Sequence, residues 1–177
     1  MELLETKRFQ LRVIEDTDIA NIHRGLSHPE VIKYYGVRFL TLEATKEQMQ
    51  WYADLLENNT GIWWGIYTKD TREFVGAGGF NDADSTHKKA EIGFWLLPDY
   101  WGQGIMKEVM PAIFSYGFDV MGLNRIEGFV DHENEKCKKA LQKINFQYEG
   151  TMRESEVENG RFIDVDIFAR LRKDAES

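Results

Sequence analysis

The chain is short of four things, and each scarcity excludes something. It has one cysteine, Cys137, in 177 residues; this excludes an internal disulfide framework and an all-cysteine metal cage, and it points to a reducing compartment. It has three prolines and no Ser/Gly-rich or low-complexity stretch, so nothing reads as a linker or a repeat. No run approaches the ~20 apolar residues that a membrane span requires, and residues 1–8 lack the basic region and apolar run of a secretory signal. Positive charge is also short: 22 Lys and Arg face 30 Asp and Glu, a net charge of -8, with a pI near 5.1. Nucleic acids and broad polyphosphate surfaces are held by Lys and Arg, so this balance argues against both and suits an amine-bearing or basic partner. What is plentiful is core material, 42% hydrophobic and 13% aromatic residues, enough for one core rather than two. The expectation is a single domain over residues 1–177, in a soluble cytoplasmic protein that binds neither membrane nor nucleic acid.

Periodicity supplies an alternating order of elements. Phe9, Leu11 and Val13 alternate with polar residues as in a strand, and Ile19, Ile22, His23 and Leu26 recur at helical spacing over about 16–27, where His28-Pro29 stops them. A second helix is expected over about 41–58, then a hairpin of strands at 62–68 and 74–80. A polar loop at 81–89 leads to a strand at 90–97 that is apolar enough on both faces to be interior. A helix from Ile105 to about Gly122 and a strand at 125–130 complete a strand, crossover helix, strand unit, which implies parallel pairing. Pro111 inside that helix should kink it. Asn134 is a good N-cap for a short helix to Lys143, and Glu158-Asn159-Gly160 reads as the turn between strands at 146–153 and 161–171. The fold class is α+β (or α/β), with a mixed sheet.

Trp101-Gly102-Gln103-Gly104-Ile105-Met106 lies where a strand ends and a helix begins. Glycines there let a ligand approach the backbone, and the N–H groups of the first helical turn attract phosphate oxygens. The turn fits neither a P-loop nor a complete dinucleotide fingerprint, and two glycines can also simply make a tight turn.

The turn's company is more specific. Ala90-Glu91-Ile92-Gly93-Phe94-Trp95-Leu96, Tyr100-Trp101-Gly102-Gln103-Gly104, Tyr116-Gly117-Phe118 and Asn134-x-x-Cys137-x-x-x-Leu141-x-Lys143-Ile144-Asn145-Phe146-x-x-Glu149-Gly150 come in that order. Together they resemble the GNAT acetyltransferase superfamily, and within it the RimJ/RimL type that acetylates ribosomal-protein N-termini. The resemblance spans about residues 7–171. Trp101 and Met106 depart from the family's usual phosphate loop, though Trp101 is common in this branch and Met106 still offers its N–H. Asn145 stands where the branch has Gly, and Asn also tolerates a left-handed backbone.

The resemblance implies a largely antiparallel sheet whose parallel pair splays to form an acetyl-CoA cleft. It implies that the backbone of Leu96 and Leu97 pairs with the pantetheine arm and that Gly102, Gln103, Gly104, Ile105 and Met106 surround the pyrophosphate. Asn134 would bond the pantetheine, no metal would take part, and a backbone N–H near Leu96 would face the developing oxyanion. Glu91 falls where several members carry the glutamate that takes the amine's proton; on its own it reads equally as an exposed carboxylate or an arginine's partner. Many members protonate the thiolate with a tyrosine at the position of Leu141, and this branch uses a serine where Cys137 stands. Cys137 is therefore a candidate proton donor beside the cofactor, or an inert core residue. His23, His28, His87 and His132 have no metal-ligand spacing with it. Trp63 and Trp64 point to opposite faces, so one borders the acceptor groove, and Asp82, Asp131 and Glu133 read as solvated charge. The implied function is direct acetyl transfer to a primary amine, with a protein N-terminus as favoured acceptor. A small amine (polyamine, amino sugar or antibiotic) and a non-catalytic CoA-binding module are the alternatives, and monomer and homodimer both stay open.

Overall fold

The structure, a computed structural model, describes residues 3–35 and 38–176. Its elements are β1 (Leu4–Glu5), β2 (Phe9–Val13), α1 (Ile19–Leu26), α2 (Pro29–Ile32), α3 (Leu42–Glu57), β3 (Ile62–Thr68) and β4 (Phe74–Asp84). They continue with β5 (Lys89–Leu96), α4 (Ile105–Asp119), β6 (Arg125–Asp131), α5 (Glu135–Lys143), β7 (Gln147–Glu158) and β8 (Arg161–Leu171). Local chemistry explains several ends. The Thr41 hydroxyl accepts from Ala44 N at 3.0 Å to start α3, and Asn134 Oδ1 accepts from Cys137 N at 3.1 Å to start α5. Asn145 follows α5 at φ 67°, the left-handed conformation expected of it. His28-Pro29 ends α1 and also begins α2, with Pro29 in the first turn and the His28 side chain accepting from Glu30 N.

The eight strands form one mixed sheet in the order β1-β2-β3-β4-β5-β6-β8-β7. Every neighbouring pair is antiparallel except β5 and β6, which are parallel and joined through α4. That parallel pairing is short: Lys89↔Arg125, Ala90↔Ile126 and Glu91↔Glu127. Since β5 continues to Leu96 and β6 to Asp131, the strands part immediately after Glu91 and Glu127. The sheet forks there.

Helices cover both faces. One core cluster joins Leu11, Trp64, Val75, Phe80, Ala90 and Ile92 to α4 and to Leu141 and Ile144. The other joins Trp63, Ala77, Trp95 and Leu97 to Ile22 and Leu26 of α1 and Met49, Tyr52 and Leu55 of α3. Trp63 and Trp64 thus face opposite ways, as alternation requires. The Trp63 indole lies across two glycines, because a Cβ at Gly79 would meet its Cγ at 2.7 Å and one at Gly93 its Cζ2 at 2.5 Å.

Two expectations need correction. The stretch expected as a polar loop at 81–89 is largely strand: β4 runs to Asp84 and pairs Asn81↔Glu91 and Asp84↔Lys89 across a bulge. Its residues are polar because this end of the strand extends past the apolar core, so alternation has nothing to report. β7 likewise runs on to Glu158, through two register shifts. Pro111 lies inside the unbroken α4, where it withholds a partner from the Lys107 carbonyl. β1 was not expected at all.

A buried carboxylate ties α5 to the sheet. Asp166 of β8, with a side chain 3% exposed, accepts from Thr151 Oγ1 at 2.6 Å and lies 2.9 Å from His132 Nδ1 and 3.3 Å from Lys138 Nζ. Burial alone would raise its pKa, but these hydrogen bonds hold it below the usual carboxylate value. Asp166→Ala is expected to cost about 2–3 kcal/mol by denaturant titration, the lower part of the range for removing a buried partner because His132 stays half-exposed. The difference from wild type should shrink as pH falls through the depressed pKa, where the wild-type carboxylate becomes protonated.

Candidate active site

The fork is built from backbone. Leu97 N–H donates to the Val75 carbonyl at 2.9 Å, and the Leu97 carbonyl accepts from Tyr100 N at 3.0 Å. Both groups of Leu97 are therefore engaged within the chain, whereas a role toward the pantetheine had been expected of them. Strand alternation then turns the N–H and C=O groups of Phe94 and Leu96 toward β6, in the stretch where β6 no longer pairs. Leu96 thus stands where expected, with its carbonyl also accepting from Trp101 Nε1 at 2.9 Å. Phe94 was missed, and only knowing which strand neighbours β5, and how far, could have found it.

Below the fork, Gly102 and Gly104 have φ of 74° and 72°, and a Cβ at either would meet nothing within 4 Å. Gly104 is the N-cap of α4, so the free N–H groups of the helix's first turn, at Ile105 and Met106, adjoin open space. The loop is held from several sides. Gln103 Nε2 donates to the Asp99 carbonyl at 3.0 Å and Arg8 Nη2 to the Gln103 carbonyl at 3.1 Å. Arg8 also pairs with Glu108 at 2.8 Å, and the Lys136 ammonium lies 4.1 Å from the centre of the Trp101 ring. A pre-shaped loop of exposed N–H groups under two splayed strands fits a long ligand with a pyrophosphate at one end.

Glu91 marks the point of the fork. It shares the face of Gly93 and Trp95, hence the side of α1 and α3. Burial first, and Asp82 second, raise its carboxyl to about 7. Asn81 Nδ2 donates to Glu91 Oε2 at 3.3 Å and to Asp82 at 2.9 Å. Arg125, the kind of partner a structural reading would give Glu91, pairs instead with Glu127 and Glu149. Asp82, read as solvated charge, belongs to the surroundings of Glu91, placed there by the bulge in β4.

Cys137 sits in the first turn of α5, packed against the first core cluster, and burial pushes its thiol up to about 12. It is held protonated at neutral pH and is no nucleophile. Asn134 caps the same turn. Tyr35, which the sequence did not single out, follows α2 and packs on the second core cluster. Burial raises its hydroxyl well above the ordinary value, and Tyr52, Glu91 and Cys137 stand close enough to raise it further. No helix among the described residues is long and apolar enough to cross a membrane.

The chain is similar to known proteins along most of its length. The acetyltransferase (GNAT) domain family matches residues 8–147. The uncharacterized N-acetyltransferase YoaA of Bacillus subtilis is 37% identical over 171 residues, 96% of this chain and 97% of that protein. Among solved structures, RimL, the ribosomal L7/L12 alpha-N-protein acetyltransferase in complex with coenzyme A, superposes with a TM-score of 0.87 at 21% identity, over 98% of this chain and 99% of that one. The spermidine N-acetyltransferase of Vibrio cholerae, in complex with CoA and spermine, gives 0.84 at 20% identity, over 96% and 99%. With the family matched over most of its length and an N-acetyltransferase relative along nearly all of both chains, the protein belongs to the GNAT acetyltransferase family and is an acetyl-CoA-dependent acyltransferase.

Proposed function

We propose that the chain acetylates a primary amine by direct transfer, and that its favoured acceptor is the N-terminal α-amine of a protein. The observation that carries this is Glu91 at the point of the fork, a half-buried carboxyl with a pKa of about 7. An α-amino group near pKa 8 costs only about 1.4 kcal/mol to deprotonate at pH 7, whereas an alkyl amine near 10.4 costs about 4.6 kcal/mol. A weak base suffices for the first and falls short for the second. Acetyl-CoA supplies an activated acetyl group; the loop from Gly102 to Met106 would hold its pyrophosphate, and Asn134 its pantetheine. Phe94 and Leu96 turn N–H groups toward the fork, where negative charge develops on the acetyl oxygen. Cys137 would wall the thiol end without attacking it.

A second reading takes a polyamine as acceptor. Asp82 and Glu156 both bear on Glu91, and that negative surround suits a second cation. The reading as a non-catalytic CoA-binding module has no observation in its favour. The test is kcat/KM for peptides bearing free N-termini against spermidine, at pH 7.5. Peptides are expected to lead by at least tenfold, and the reverse order would transfer the assignment to polyamines.

A further inference from the structure

The turn that joins β6 to α5 carries Asn134, and one carboxylate holds that turn from both sides. Asp166 of β8 lies 2.9 Å from His132 Nδ1, just before Asn134, and 3.3 Å from Lys138 Nζ, one helical turn after it. Its remaining contact, from Thr151 Oγ1 at 2.6 Å, comes from β7. Asp166 is itself fixed in the sheet, since it pairs with Val130 across β8 and β6. The backbone of the turn is fastened as well. His132 N donates to the Asp164 carbonyl at 3.0 Å, Asn134 N to the Asp131 carbonyl at 2.9 Å and Glu133 N to Asp131 Oδ1 at 2.9 Å.

Apolar burial anchors α5 mainly at its far end, where Leu141 and Ile144 are 1% and 4% exposed. The first turn has the partly buried Cys137, and apolar contact is non-directional. Direction at that end comes from Lys138, which meets both Asp166 and Glu135, the latter at 2.8 Å. The cap constrains Asn134 further: with Oδ1 accepting from Cys137 N at 3.1 Å, its Nδ2 is the group left to donate to a ligand carbonyl. Where that donor points follows from how the turn is held.

We infer that Asp166 is a positioning residue for the cosubstrate: by holding His132 and Lys138 it aims the Asn134 amide at the pantetheine arm. The inference rests on the acyl-transfer reading above, in which Asn134 bonds that arm. Asp166 touches no reacting atom, so its loss falls on acetyl-CoA binding and not on the chemical step.

The test is a calorimetric titration with CoA alone. Asp166→Asn keeps the side chain's size and an oxygen for Thr151, but it loses the charge that faces His132 and Lys138. Its dissociation constant for CoA is expected about tenfold above wild type, the equivalent of one misdirected hydrogen bond. In steady state the same factor should fall on the KM for acetyl-CoA rather than on kcat. A double-mutant cycle then separates positioning from mere stability. Asn134→Ser keeps a capping oxygen and removes the amide, so adding Asp166→Asn to it should change CoA affinity by less than about twofold, as for residues acting through one contact. The inference is overturned if the two losses multiply, or if either single variant binds CoA within about twofold of wild type. Should Asp166→Asn not fold, Lys138→Met decides in its place: it leaves Asp166 in the sheet, should weaken CoA binding, and should lose that effect in the Asn134→Ser background. An unchanged affinity in Lys138→Met would likewise overturn the inference. CoA binding needs no acceptor. If wild type turned over no amine, the acyl-transfer reading would fail while these titrations still decided the role of Asp166.

Discussion

Gly104→Glu should weaken acetyl-CoA binding at least 100-fold in a calorimetric titration, whereas Gly104→Ala should weaken it only a few-fold. The pair separates two effects that one substitution would confound. Any L residue at φ 72° incurs the left-handed penalty, roughly 1–2 kcal/mol, but there is room for a Cβ, since nothing lies within 4 Å. Alanine therefore measures backbone strain alone. Glutamate adds a carboxylate beside the N–H groups that would hold the pyrophosphate, so like charge meets like charge where the helix dipole favours only one anion. A 100-fold change corresponds to about 2.8 kcal/mol, within reach of that repulsion in a partly desolvated loop. If Gly104→Glu bound acetyl-CoA within fivefold of Gly104→Ala, the pyrophosphate would have to lie elsewhere.

The second large effect is expected at Glu91, and it has two parts of opposite sign. Glu91→Gln should lower kcat/KM by about 100-fold at pH 7.5, the lower end for loss of a positioned base. The wild-type profile should rise through about pH 7, where the carboxyl ionises, and the variant should lose that limb. Stability should move the other way. A carboxyl whose folded pKa is raised from 4.5 to about 7 does not destabilise the fold below pH 4.5. It weakens the fold increasingly as pH rises through 7, because the unfolded chain ionises more readily. Glu91→Gln removes that burden, so the variant should match wild type at pH 4 and exceed it by about 1–2 kcal/mol at pH 8, after allowing for screening of a half-exposed group. A residue that only filled a structural place would not give a less active and more stable protein together.

The residues differ in how far sequence exposes them. β2 is legible because alternation reports burial, with Phe9, Leu11 and Val13 pointing into a core while Arg12 does not. β3 is legible as an aromatic and β-branched run buried on both faces, and the start of β8 from the Glu158-Asn159-Gly160 turn before it. The glycine turn and the Asn134 cap are legible because local backbone chemistry requires those residue types. The outer end of β4 is not, since Asn81, Asp82 and Asp84 lie beyond the core, and a polar strand looks like a loop. Tyr35 and Asp82 are illegible for a different reason: Asp82 comes to Glu91 through a bulge, and the packing of Tyr35 on the second core cluster is tertiary. Phe94 was quoted as part of a motif, but its role depends on where β6 stops pairing, which no property of β5 encodes.

That stopping point also bears on solubility. Beyond Glu91 the chain has a strand edge inside its own sheet, where the backbone N–H groups of Phe94 and Leu96 face a stretch of β6 that does not pair with them. Outer edges are commonly guarded by charge or by irregular pairing, as β7 is by Glu154, Glu156 and its register shifts, whereas this inner edge is where the proposed acetyl-CoA site lies. An extended pantetheine lying along it would act as an additional strand, capping the edge reversibly. The cosubstrate would then serve as a chaperone for this face, and self-association through strand pairing would be a hazard of low CoA supply rather than of heat.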